Sequence, residues 1–323
     1  MLDQNPPPSR SGRNFIKRAF SLPVFAFLIL VLNPNSDATL KYSRTHERPL
    51  NGKVIYGSDD RHELYEESDP EIRRIAYSTL ALIDLSNLKD LGDGTIAIRI
   101  ENYGQRYHLC STERFREQDT AAFCSGFLVA PELVMTAGHC IRDLLNCQQT
   151  AFVFGFAYST PYSQPAIVRQ KDVYYCRELI RRVAELDGID FAIIRLDRPV
   201  RDREPLRLRR SGTILPGDEL TVLGHPAGLP LKIASGAQVR SIHPKGYFIA
   251  NLDTYGGNSG SPVINLRDRE VEGILVRGEQ DYVLTEENGY GCFISNQCAD
   301  DQCDGEAVTL ISEVLKLHRI GED

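Results

Sequence analysis

Asp253-Thr-Tyr-Gly-Gly-Asn-Ser-Gly-Ser-Pro-Val263 is the stretch on which the reading of this chain turns. Ser259 stands two residues after Gly257 and directly before Gly260. A serine hydroxyl is a poor nucleophile and must be pressed against a base in a fixed geometry. Glycines on both sides let the backbone turn sharply and let another molecule approach closely. Such a turn can aim the amides of Gly257 and Ser259 at one point, where a tetrahedral oxyanion would sit. Each such donor is worth about 2.7–4 kcal/mol in a transition state. Standing alone, the same pattern also describes a hairpin turn with a passive serine, because small polar residues dominate turns.

A base is found upstream. An apolar run ending at Val134-Met135 leads into Thr136-Ala-Gly-His139, which delivers an imidazole to an exposed turn, and Cys140 follows at once. Cys124 opens the preceding strand. A Cys124–Cys140 bridge would close a loop of about fifteen residues and clamp the base, contributing about 3 kcal/mol in the chain-entropy picture. His225 and His243 sit in loops after strands and read as ordinary core or surface side chains. A carboxylate that orients the base must be partly buried and accept its Nδ1 proton. Asp190 opens the alternating strand Phe191-Ala-Ile-Ile-Arg-Leu196, a rigid support. Asp187, in a turn before Gly188, and Asp172, ahead of its own strand, remain alternatives.

Around these segments the chain reads as short β-runs punctuated by Gly and Pro, the pattern of an all-β barrel or sandwich. Examples are Gly94–Ile100, Ala151–Phe156, Phe191–Leu196, Glu219–Leu223 and Tyr247–Ala250. Two stretches show helical spacing: Arg177–Leu186, and Glu306–Leu317 with Val308, Ile311, Val314 and Leu315 on one face. The composition is 42% hydrophobic and 25% charged with net charge −7, which argues against a nucleic-acid binder. The basic cluster Leu206–Arg210 reads as a solvated edge.

Arg10, Arg13, Lys17 and Arg18 precede an apolar run from Ala19 to Leu32 and then polar residues with Ser36 and Ala38. That order fits a signal peptide over residues 1–38, and the run is short of the roughly 20 apolar residues a spanning helix needs. Residues 39–53 read as a pro-segment or linker, and 54–323 as the folded domain. All eight cysteines (Cys110, Cys124, Cys140, Cys147, Cys176, Cys292, Cys298 and Cys303) follow the export segment. An even count in that context implies disulfides in an oxidising compartment, in a secreted or periplasmic protein. A zinc site at Cys292, Cys298 and Cys303 is the rival, disfavoured because the spacings are irregular and no CxxC pair occurs.

Thr136-Ala-Gly-His-Cys140, Asp190-Phe-Ala-Ile193 and Gly256-Gly-Asn-Ser-Gly-Ser-Pro262, in that order, resemble the chymotrypsin-like serine peptidases, and more closely their V8-like, glutamyl endopeptidase branch. The resemblance runs from about Val54 to the C-terminal helix. It implies two packed six-stranded antiparallel β-barrels, at about 75–200 and 205–300, followed by a C-terminal helix at about 306–317. It implies Ser259 as nucleophile, His139 as base, Asp190 as its orienter, and the amides of Gly257 and Ser259 as oxyanion hole. The substrate would be a polypeptide lying between the barrels, and the enzyme a monomer free of stable membrane association once its signal is removed. This chemistry needs no metal or organic cofactor, and no loop has calcium-ligand spacing.

Two departures from relatives matter. Trypsins carry Asp directly before the nucleophile, to pair with a freed N-terminal amine; here the position holds Asn258. In the V8-like branch the mature N-terminus lies near the substrate pocket, and Val54-Ile-Tyr-Gly resembles the start of those enzymes, which points to cleavage after Lys53. In glutamyl endopeptidases a histidine follows the Gly-Ile pair lining the pocket, whereas Leu275 stands there in this chain. Thr254 matches the pocket threonine, Asp253 falls where trypsins keep a selecting aspartate, and Arg277 could bind an acidic side chain. These cues conflict. The competing functional classes are a catalytically silent binder on the same fold, which usually loses a triad member, and a membrane-tethered protease with a peptide-binding module, for which little chain remains after Ser259.

Overall fold

Runs of β-branched and aromatic side chains bury most residues of ten of the twelve barrel strands, whereas the long strands Val173–Ala184 and Lys232–His243 are buried mainly at their first residues. The computed structural model describes residues Val54–His318, so the signal-peptide and pro-segment readings of residues 1–53 lie outside the described residues. One barrel is built from Thr79–Asp84 (β1), Cys124–Ala130 (β2), Leu133–Thr136 (β3), Thr150–Phe154 (β4), Val173–Ala184 (β5) and Asp190–Leu196 (β6). They close as β1-β2-β3-β6-β5-β4, with β4 returning to β1, all antiparallel.

The other barrel is built from Glu219–Gly224 (β7), Lys232–His243 (β8), Tyr247–Ala250 (β9), Pro262–Asn265 (β10), Val271–Arg277 (β11) and Glu306–Leu310 (β12). Their circuit is β7-β8-β9-β12-β11-β10 and back to β7. The second barrel therefore repeats the first strand for strand. Full closure leaves no long unpaired edge, which is how such all-β folds avoid edge pairing. One apolar cluster runs from Phe127, Phe152 and Ile193 of the first barrel to Ile264, Ile274 and Val314 beyond β7, so the barrels share part of a core.

Two expected helices need correction. Arg177–Leu186 is not helical; residues to Ala184 form the outer end of β5. Register shifts between Cys176 and Glu178 and between Leu179 and Arg181 insert extra residues, so the two-residue alternation of a strand is broken into a helix-like spacing. Glu306–Leu310 is likewise strand β12, paired with β9 and β11, and the second barrel ends at Leu310 rather than near residue 300. The C-terminal helix occupies Ile311–Leu317 and buries Ile311 and Val314. An earlier helix, Pro70–Tyr77 (α1), was not expected. Asp69 caps it by accepting from the amides of Glu71 and Ile72, and Pro70 takes the first turn, where its missing N–H costs nothing.

Four disulfides are present: Cys110–Cys292, Cys124–Cys140, Cys147–Cys176 and Cys298–Cys303. Cys292, Cys298 and Cys303 are thus divided between two bridges, which removes the zinc alternative. Among the described residues no helix is long and apolar enough to cross a membrane.

Phe152 is fully buried inside the first barrel. Phe152→Ala is expected to cost about 3–5 kcal/mol, the usual loss for emptying a core aromatic site. Urea unfolding measures it, and a loss under about 1 kcal/mol would contradict a closed, packed barrel.

Candidate active site

β3 and β6 are antiparallel neighbours with Thr136 opposite Ala192. Continuing that register past Thr136 brings the start of β6 against the turn that follows β3. Asp190, 4% exposed, therefore meets His139 from the adjacent strand end. Its Oδ1 accepts the His139 backbone N–H at 3.1 Å and its Oδ2 lies 2.7 Å from Nδ1 of the ring. A carboxylate only accepts, so the proton of the imidazole is held on Nδ1 and the lone pair is left on Nε2. The aspartate is itself held: its N–H donates to Thr309 Oγ1 at 3.1 Å, and that hydroxyl donates back to its carbonyl at 3.2 Å.

The turn carrying His139 is clamped from behind. A methyl group at Gly138 would overlap the carbonyls of Val183 and Phe191, so only glycine fits the passage. Arg182 Nε donates to the carbonyls of Gly138 and Ile141, both at 2.8 Å. Arg182 lies in the stretch that reads as helix in the sequence, and nothing in the spacing marks its role.

Ser259 reaches the same place from the second barrel. Its carbonyl accepts the Ser125 N–H at 2.8 Å and lies 3.7 Å from Sγ of Cys140, the residue next to His139. Ser125 Oγ donates to the Gly257 carbonyl at 2.9 Å and accepts the His225 N–H at 2.9 Å. The Gly260 N–H donates to the Leu275 carbonyl at 2.7 Å, and the Leu275 N–H donates to the Ser261 carbonyl at 3.0 Å. Sequence reading missed Ser125; a buried polar residue on a core strand was the available signal.

The loop before Ser259 is sharply bent. Gly257 has φ +94°, and a side chain there would press on the His225 carbonyl and the Gly228 amide at 2.6 and 2.9 Å. The Gly256 carbonyl accepts from the Ala227 N–H at 2.6 Å. In a planar trans peptide the N–H points opposite to the carbonyl, so the Gly257 N–H is aimed away from Ala227. Ala227 itself holds φ +52°, a left-handed conformation rare outside glycine, beside the site.

The remaining candidates are placed as follows. Asp253 is 4% exposed and accepts the amides of Tyr56 at 2.7 Å and Asp60 at 2.9 Å. Burial pushes its carboxyl up to about 7, against those two hydrogen bonds. Arg277 donates to the carbonyls of Glu185 at 3.3 Å and Gly188 at 2.9 Å, bracing the loop ahead of Asp190. Both charges thus have structural partners. Leu275 is fully buried in the second barrel's core cluster. Val54 and Thr254 are fully buried together, the Thr254 N–H donating to the Val54 carbonyl at 3.3 Å. Asp172 pairs with Arg169 and Arg203, and Asp187 with Lys245, so neither rival is engaged with His139.

The ring of His139 lies beside the two cysteines of the Cys124–Cys140 bridge, but those sulfurs are bonded to each other and offer no thiolate to a metal. His225 is fully buried, its Nδ1 3.0 Å from the Leu229 carbonyl, and burial pushes its imidazole down to about 3.

Comparison with known proteins adds the following. Residues 124–274 match the family described as a trypsin-like peptidase domain. A glutamyl endopeptidase of Bacillus licheniformis is 26% identical over 157 residues, 43% of this chain and 44% of that protein. The chain thus spans less than half the length of that curated relative. Among solved structures, the Vibrio cholerae VesB protease aligns over 82% of this chain and 66% of its own, at 17% identity and TM-score 0.45. Rv3671c of M. tuberculosis H37Rv, a Ser343Ala mutant in an inactive form, aligns over 81% and 94%, at 15% identity and TM-score 0.43.

Two outcomes follow from this geometry. Ser125→Ala leaves the His225 amide and the Gly257 carbonyl without their shared partner, and should cost about 1–3 kcal/mol in urea unfolding; an unchanged midpoint would refute the clasp. His225, depressed in the fold, contributes stability that is complete above its ordinary value of 6.5 and is lost as pH falls toward about 3. Its NMR resonances should stay those of neutral imidazole at pH 4.5, and protonation near 6.5 would contradict its burial.

Proposed function

We propose that this chain, which carries a trypsin-like peptidase domain over residues 124–274, is a secreted or periplasmic serine endopeptidase acting as a monomer through His139, Asp190 and Ser259. The observation that carries the reading is the double hold of Asp190 on the amide and ring of His139, with Ser259 fastened across the gap beside Cys140. A passive serine turn has no use for that arrangement. A silent binder would not need a base whose tautomer is set.

The reaction is acyl transfer. Nε2 of His139 takes the proton of the Ser259 hydroxyl as Oγ attacks the peptide carbonyl. The amides of Gly257 and Ser259 receive the developing oxyanion. His139 then gives its proton to the departing amine, and an acyl ester remains on Ser259. Water, deprotonated by the same imidazole, releases the acid and restores the hydroxyl. Asp190 keeps the ring oriented and stabilises the imidazolium between steps.

The enzyme is made as a zymogen that becomes active after cleavage at Lys53–Val54, and the export segment ahead of it is removed. A preference for Glu at the cut site does not transfer from the glutamyl endopeptidase relative. Leu275, fully buried in the second barrel's core, offers no imidazole.

A fluorophosphonate probe should label the active chain stoichiometrically at Ser259, and labelling should vanish in Ser259→Ala. Asp190→Asn, which sets the wrong tautomer, should lower kcat by about 10⁴-fold.

A further inference from the structure

A cavity of about 250 Å³ has His225 on its wall and none of His139, Asp190 and Ser259. Leu64, Phe154, Phe156, Ala157 and Leu231 give it an apolar side. Asp172, Arg169 and Arg203 also border it, and Asp172 is paired with Arg169 at 2.6 Å and with Arg203 at 2.8 Å, so these charges answer one another. The main chain of His225 is engaged on the side of the Ser259 loop. Its N–H donates to Ser125 Oγ at 2.9 Å, its carbonyl accepts the Gly228 N–H at 3.0 Å, and a side chain at Gly257 would strike that carbonyl. The ring is therefore what His225 presents to the cavity. Phe156 covers one face of it, with ring centres 5.7 Å apart and planes tilted by 25°. Nδ1 lies 3.0 Å from the Leu229 carbonyl. A carbonyl only accepts, so the proton sits on Nδ1 and Nε2 carries a lone pair. Among the described residues that line the cavity, Nε2 is the one buried side-chain nitrogen or oxygen with no hydrogen-bond partner in the chain.

We propose that this cavity is a binding site for a small neutral aromatic alcohol, whose ring packs on Phe154 and Phe156 and whose hydroxyl donates to Nε2 of His225. The site is separate from the peptidase centre and does not rest on that reading. Size sets the first limit. An apolar cavity of roughly 150 Å³ accepts benzene, so about 250 Å³ holds one ring with a short substituent. Charge sets the second. Burial pushes the His225 imidazole down to about 3, so at neutral pH it offers no cation to a carboxylate or phosphate. Asp172, 4% exposed, is already committed to two guanidiniums. An ion entering here would give up its hydration for no free partner. Polarity sets the third. A buried acceptor without a donor is costly, and a ligand that brings a donor supplies what the chain lacks. A hydroxyl does so, whereas an ether or a ketone only accepts. The Ala227 N–H donates to the Gly256 carbonyl at 2.6 Å, so the site lies on the reverse of the turn that supports the Ser259 loop.

The test titrates phenol, toluene and benzoate into the purified protein carrying isotope-labelled histidine, at neutral pH, and follows the ring nitrogens of His225 by NMR. Phenol should move the Nε2 resonance saturably while Nδ1 stays protonated. Benzoate, the same ring with a charge, should leave Nε2 where it is. Toluene matches phenol in size and lacks the donor. The preference for phenol over toluene should fall by about 2- to 12-fold in His225→Phe, which keeps a ring and removes the acceptor; that is the usual worth of one hydrogen bond. Ala157→Leu, which adds bulk to the wall, should weaken phenol and toluene together. Where His225→Phe does not fold, the Nε2 titration and Ala157→Leu decide the matter. Phenol binding that leaves Nε2 unmoved, a preference unchanged in His225→Phe, equal response to benzoate, or binding untouched by Ala157→Leu would overturn the site.

Discussion

The structure depends on a junction at Ser125. One residue of the first barrel uses its amide to hold the carbonyl of Ser259 and its hydroxyl to join the Gly257 carbonyl to the His225 amide. The two barrels are separate hydrogen-bonded circuits, so two side chains divided between them, such as His139 and Ser259, would drift if the shared apolar core alone set the spacing. Hydrogen bonds have direction where burial does not. This buried junction converts the general adhesion of two barrels into a defined placement of one loop beside one turn. Arg182 and Gly138 do the same for the turn, and Thr309 for Asp190.

Much of this is readable in the residues themselves. Gly257, Gly260 and Gly138 mark places where backbone or neighbour leaves no room for a side chain, and that constraint is written as glycine. The alternation of Phe191-Ala-Ile-Ile-Arg-Leu196 marks a strand because its register is regular. Where register is irregular the signal fails: bulges in β5 give Leu179, Ile180 and Val183 a helical spacing on a strand. Glu306–Leu310 misleads differently. Its apolar positions continue smoothly into a true helix, and only pairing with β9 and β11, remote in sequence, makes it a strand. The cap Asp69-Pro70-Glu71 before α1 was legible and overlooked.

Charged residues are the least legible part. Asp253 and Arg277 are equally plausible from sequence as ligands for a substrate side chain or as internal supports. What decides between the two roles is geometry between distant segments: amides of residues 56 and 60 on Asp253, carbonyls of residues 185 and 188 on Arg277. A buried charge with its hydrogen bonds satisfied is stable where it stands and is not available to a ligand without loss. The site's polarity is therefore spent largely on holding its own loops.

The most direct measurement traps the intermediate. The mature chain is mixed with a peptide ester, quenched in acid within the first turnover, digested and weighed. One acyl group on the peptide containing Ser259, absent in Ser259→Ala, is the predicted result. Product formed with no acylated residue, or with the acyl group on another side chain, would contradict a serine nucleophile at this site.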